Sequence, residues 1–199
     1  MTTQIDICNL ALGRLGDEAT VSSIDPPDNS VQANHCSRLY PIVLLAALDQ
    51  HNWRFATRRF LLPTRSNEAD EWQYCYGIPS DYVSLIKLTT DGIDEVDEYS
   101  IEIASDDTQV LYANVEAVTL VYCSSDVSPA RFSPAFTEYF SALLASHLAG
   151  PLLKGDVGAS ASGKFLELSR ALLGPAIERD GQNYRKKSGY TPKHIAARQ

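Results

Sequence analysis

Trp53-Arg54-Phe55-Ala56-Thr57-Arg58-Arg59-Phe60-Leu61-Leu62 is the stretch at which the chain changes its period. Upstream, apolar residues recur every three or four positions, as on one face of a helix. Downstream, they alternate or fall in short runs rich in branched and aromatic side chains, as in strands. The stretch itself predicts a strand over 53–62.

Working back from it, Ile5, Cys8, Leu12 and Leu15 keep helical spacing, and Gly16 stands where a helix-ending glycine belongs. Residues 17–29 form a loop that Pro26-Pro27 closes to any helix. A long helix follows over 30–52, with Asp28, Asn29 and Ser30 as candidate N-caps. Val31, Leu39, Val43, Ala46 and Ala47 make its inner stripe, and Pro41 predicts a kink or break near Ser37. Working forward, strands are expected at 82–89, entered through Ile78-Pro79, at 99–103, at 110–112 and at 118–123. Asp106-Asp107 turns the second of these into the third.

The last third returns to helix. Ser133 caps a helix that opens with Pro134 and buries Phe136, Phe140, Leu143, Leu144, His147 and Leu148. Gly150-Pro151 disturbs its end. A fourth helix over 159–178 turns Phe165, Leu168 and Leu172 inward, with Gly174-Pro175 interrupting it. The fold class is therefore α+β: a four-helix bundle from 1–52 and 130–180, a small antiparallel β region inserted between helices 2 and 3 over 53–129, and an extended C-terminal tail over 181–199.

At 199 residues the chain has room for one substantial core and a small satellite. Its net charge of −8 argues against a sequence reader of nucleic acid. That charge is divided unevenly. Residues 1–180 carry 12 basic against 25 acidic residues, a net of −13, while 181–199 carry five basic residues and no acid. A basic end on an acidic body is a common form of a docking arm, and equally of a solvated terminus with no role of its own. Between 91 and 107 there are eight acids and no Lys or Arg. No signal peptide or membrane-spanning run is apparent, and Cys8, Cys36, Cys75 and Cys123 lack metal or redox spacing. They are expected as buried thiols of a protein made in a reducing cytoplasm.

No catalytic signature stands out. There is no Gly-x-Ser-x-Gly, no His-Glu-x-x-His and no phosphate loop. His147 reads as a core histidine. The acids of 91–107 fail the EF-hand pattern and read as a solvated face, with neither metal nor cofactor implied. Arg54, Arg58 and Arg59 allow a nucleic-acid surface, but fit better the outer face of a strand that meets carboxylates on a neighbouring subunit.

Four motifs in order resemble the head-to-tail adaptor proteins of tailed bacteriophages, the tail tubular protein A type. They are Asn9-Leu10-Ala11-Leu12-Gly13-Arg14-Leu15-Gly16, Leu39-Tyr40-Pro41, Trp53-Arg54-Phe55-Ala56, and the Trp-x-Tyr-x-Tyr-x-x-Pro of residues 72–79. The likeness is strongest over residues 5–90. An arginine-aspartate pair common in that family after the Tyr-Pro is replaced here by Leu44-Leu45-Ala46.

The resemblance implies a non-enzymatic virion protein at the head-tail junction, assembled in the host cytoplasm. It implies a ring, commonly of twelve copies, under the portal protein, which carries the tail or nozzle protein and lets double-stranded DNA pass. It assigns portal docking to the C-terminal arm, here Tyr184, Arg185, Lys186, Lys187, Tyr190, Lys193, His194 and Arg198. Arg54, Arg58, Arg59, Asp94, Glu95, Asp97 and Glu98 are the candidates for contacts between subunits or for the channel wall. The alternatives are a virion-associated cell-wall hydrolase using carboxylates of the β region, and a cytoplasmic helical binding module.

Overall fold

A computed structural model describes residues 2–18, 20–90 and 94–182. It has four α-helices and two antiparallel sheets. Helix α1 (Gln4–Arg14) starts on a capping box, in which Asp6 N–H donates to Thr3 Oγ1 and Thr3 N–H to Asp6 Oδ2. It ends on Gly16, whose φ of 75° lets Asp17 N–H reach the Leu12 carbonyl at 3.1 Å. Helix α2 (Val31–Asp49) is capped by Ser30, which accepts from Ala33 N–H. Helices α3 (Pro134–Leu153) and α4 (Gly155–Gly181) are joined at Lys154 and Gly155, which take left-handed φ values of 55° and 52°.

Helix α3 is the hub, touching α1, α2 and α4. That explains why its burial runs round the helix, from Phe136 and Tyr139 through Ala142 to Ala149, rather than along one stripe. Where α4 turns back on α3, Gly158 sits so close that a Cβ there would lie 3.0 Å from the Ala149 carbonyl oxygen. All four cysteines are free and buried, as their spacing implied. Cys8 of α1 and Cys36 of α2 meet, and this hydrogen bond together with burial pushes the Cys8 thiol up.

The β region is a two-layer structure. One sheet has the order β1 (Thr57–Leu61), β8 (Val118–Ser124), β4 (Tyr82–Thr90), β5 (Asp94–Glu95). The other has the order β2 (Thr64–Arg65), β3 (Tyr74–Gly77), β7 (Gln109–Ala113), β6 (Tyr99–Ile103). Leu88, Leu120 and Tyr122 from the first sheet, with Leu62 after β1, pack on Tyr76, Leu111 and Ala113 from the second. Only Leu62 and Pro63 separate β1 from β2, and only residues 96–98 separate β5 from β6. The chain crosses between the sheets at these two short corners and again over residues 78–81 and 114–117, and two strands of each sheet lie between the two corners.

Several expectations are corrected. The strand predicted from Trp53 begins only at Thr57, and Arg54–Ala56 form a 3₁₀ turn. Trp53 is fully buried in the helical core, with Nε1 donating to the Ala47 carbonyl at 2.9 Å. Its ring meets Phe136 at a centroid distance of 4.7 Å. A strand there would carry the indole out of that core.

Helix α2 runs unbroken past Pro41, because Tyr40, Val43 and Leu44 are fixed by burial around it. Its inner stripe is Ala33, Cys36, Tyr40, Val43, Ala47 and Leu48, while Val31 and Ala46 are exposed. Pro175 likewise leaves α4 whole, flanked by packed Leu172, Leu173, Ala176 and Ile177. Tertiary packing overrides the local breakers in both helices. Strands β2, β3 and β5 were not expected.

Trp53→Ala is expected to cost about 3–5 kcal/mol of stability, through lost packing. Trp53→Phe should cost less, about 1–3 kcal/mol, because the ring is largely kept but the Ala47 carbonyl loses its donor. Urea unfolding followed by circular dichroism measures both.

Candidate assembly surface

The residues of interest fall into three places: the end of α4 and the two corners of the β region. The first is held by Asp180. Asp180 is 2% exposed, and its carboxylate accepts the Arg54 backbone N–H with both oxygens, at 3.2 and 3.0 Å. His51 Nε2 lies 3.6 Å from Oδ2. The last turn of α4 is thereby tied to the junction where α2 gives way to β1. The arm candidates Tyr184, Arg185, Lys186, Lys187, Tyr190, Lys193, His194 and Arg198 lie beyond it, outside the described residues. Asp180 was not singled out from sequence, since nothing in its neighbours distinguishes it from a solvated helix-end acid.

At the β1/β2 corner the three arginines separate. Arg54 stands in the 3₁₀ turn. Arg58 meets carboxylates of its own chain: Asp81 at 3.2 Å and Asp126 at 2.8 Å. Asp81 also accepts from Tyr122 Oη at 3.0 Å and from Ser124 Oγ at 2.5 Å. Burial pulls the Asp81 carboxyl upward, but the Ser124 and Tyr122 hydroxyls and Arg58 outweigh it and hold the group below its ordinary value. Burial first, and Asp81 second, push Tyr122 up to about 12. This network ties β1 to β8 and to the turn before β4, so Arg58 is a structural residue. Arg59 is exposed and makes no hydrogen bond or ion pair among the described residues.

Also at this corner, Arg65 crosses the outer face of the second sheet to reach Asp106, at 2.6 Å, and Thr108. Gly77 makes the crossing possible, since a Cβ there would lie 3.2 Å from Arg65 Cδ. The glycine of the Tyr74-Cys75-Tyr76-Gly77 run is thus a close-approach residue. The Asp106-Asp107 turn is as expected, with Asp107 at a left-handed φ of 64°.

The opposite corner carries the acids. Asp94 and Glu95 form β5. Val96 is buried and its N–H bonds to the Leu88 carbonyl at 3.1 Å. That anchor leaves Glu95, Asp97 and Glu98 on the exposed side of the link into β6. The structure therefore sets the basic and acidic candidates on opposite corners of the β region instead of bringing them together.

Other candidates disperse. His147 is exposed on α3, not in the core, and borders a 240 Å³ hollow with Tyr139 and Arg170. A groove of 460 Å³ between the start of α1 and residues 128–130 has Asp25 as its one ionisable side chain. Among the described residues no three His, Cys, Asp or Glu side chains converge on a metal-sized space. None of the described helices is long and apolar enough to cross a membrane.

Asp180→Ala is expected to lower stability by about 1–3 kcal/mol, and Asp180→Asn by less, because one accepting oxygen remains. Hydrogen exchange should show the loss first in the last turn of α4. Asp106 supplies a pH test. Its carboxyl accepts from the Thr108 hydroxyl, from Arg65 and from the Thr108 N–H, which hold it at about 2 against an ordinary 3.8. A depressed folded value means that its contribution is complete above 3.8 and lost as pH falls through about 2. The stability difference between wild type and Asp106→Asn should be flat at neutral pH and vanish in that acid window.

No family model matches the chain, and no curated protein sequence matches it.

Proposed function

We propose that the chain is a structural head-to-tail adaptor of a tailed bacteriophage, without enzymatic activity. The observation that carries this reading is the division of charge about a fastened joint. A body with a net charge of −13 ends at α4, whose last turn is held by Asp180, and the five cations of 181–199 follow directly. The four ordered motifs of residues 5–90 support it independently.

In this reading the helices form one bundle, and the β region, inserted between α2 and α3, projects from it towards neighbouring copies. Twelve copies make a ring in the virion neck, assembled in the host cytoplasm. The basic arm grips the portal protein above, and the tail or nozzle protein attaches below. Twelve weak arms engaged at once give strong avidity without any single strong contact. A wall rich in carboxylates repels the phosphate backbone, so double-stranded DNA passes without sticking.

Deleting residues 183–199 is expected to abolish retention of the chain on purified portal rings, with circular dichroism used to check that residues 1–182 still fold. Retention should also fall steeply with salt, because the contact is charge-driven. A truncated chain that still decorates portal rings normally overturns the reading of the arm.

A further inference from the structure

The two corners of the β region each leave a five-residue strand paired on one side only: β1 with β8, and β6 with β7. Such edges present unused N–H and C=O groups and invite another strand. Both are apolar for exposed edges. Phe60 and Leu61 of β1 are 44% and 62% exposed, and Tyr99 and Ile103 of β6 are 39% and 63% exposed. Their charges are opposite. Arg59 on β1 is exposed and unpaired among the described residues, while Glu102 on β6 and Glu98 just before it are exposed acids. Arg58 adds nothing to the balance, because Asp81 and Asp126 already neutralise it.

We propose that the β1 edge of one copy docks on the β6 edge of the next, with Phe60 against Tyr99 and Ile103 on one face and Arg59 beside Glu102 on the other. The occupant of each edge is a second copy of this chain. The match argues for it: equal strand length, exposed apolar residues on both edges, and opposite unneutralised charge. Because the corners lie opposite each other across the sheets, the contact is heterologous. Each copy offers one edge of each kind, and repetition gives a ring where the rotation closes and a filament where it does not. This deepens the ring of the adaptor reading and rests on it.

The test uses the full chain carrying either Phe60→Cys or Ile103→Cys. The four native thiols are buried, so the introduced one is the exposed thiol among the described residues. The two variants are mixed at about 1 mM total, comparable to the effective concentration that side-by-side tethering supplies. Under mild oxidation the mixture is expected to form disulfide dimers, and each variant alone at least tenfold less. In the same assay Arg59→Glu should cut the yield about tenfold, as should Glu102→Arg, and the double swap in one chain should restore it. Rescue by the double swap separates a contact from a folding defect.

A mixture that stays monomeric overturns the proposal. So does a Phe60→Cys sample that cross-links to itself as well as to its partner variant, which would mark a symmetric contact. If portal retention survives while the mixed cross-link is absent, the edge contact is wrong and the adaptor reading stands. If the cross-link forms in a chain that portal rings do not retain, the adaptor reading fails and the edge contact stands.

Discussion

The fold depends on the burial of Trp53 at the point where helix becomes sheet. The indole fills the space between α2 and α3, bonds the Ala47 carbonyl and packs on Phe55, Phe136 and Tyr139. One residue later the backbone N–H of Arg54 is taken by the buried carboxylate of Asp180. The end of α2, the start of β1 and the end of α4 are therefore fixed to each other over a few residues. Cys123 of β8 adds a further tie, with Sγ 3.8 Å from the Leu48 carbonyl. A β region joined to helices by a single peptide linker would swing, and this one is held at its root.

Much of this was legible in the letters, and the failures follow a physical pattern. Caps were readable because they are local: Gly16, Ser30 and Ser133 act through bonds within three to five residues. Strands with alternation or branched runs, such as β6 and β8, were readable for the same reason. The breakers were over-read, since Pro41 and Pro175 each remove one helical hydrogen bond, a loss the surrounding burial outweighs. Short strands such as β2 and β5 exist only because a partner strand lies beside them, and nothing in two residues announces that. His147 was misplaced because α3 is apolar nearly all round, so its pattern does not mark the side left open.

The charged residues show the same limit more sharply. Arg58 and Arg59 are adjacent and identical in the sequence, yet one is consumed by Asp81 and Asp126 while the other stands free of partners among the described residues. Strand geometry decides it, because successive side chains point to opposite faces. Arg58 shares its face with Tyr122, its register partner on β8, and Arg59 shares the other with Val121. Asp81 lies in a turn remote from Arg58 in the sequence, and no local signal announces their meeting.

Charge also bears on when copies should meet. Bodies of net −13 repel one another at long range, but at physiological salt that repulsion is screened beyond about 8 Å. The proposed contact between Arg59 and Glu102 of neighbouring copies would act inside that distance, and the apolar side chains beside it would lower the local dielectric and strengthen it. The proposed edge contact would then be too weak to gather free copies from dilute solution, yet sufficient once a template holds them side by side. In the proposed adaptor reading the basic arm supplies such a template, since 181–199 carry the five cations that would attract an acidic surface. Strengthening the edges further would remove this dependence, because long apolar edges associate indiscriminately. In that reading the separate arm sets where copies gather and the modest edges set how they line up.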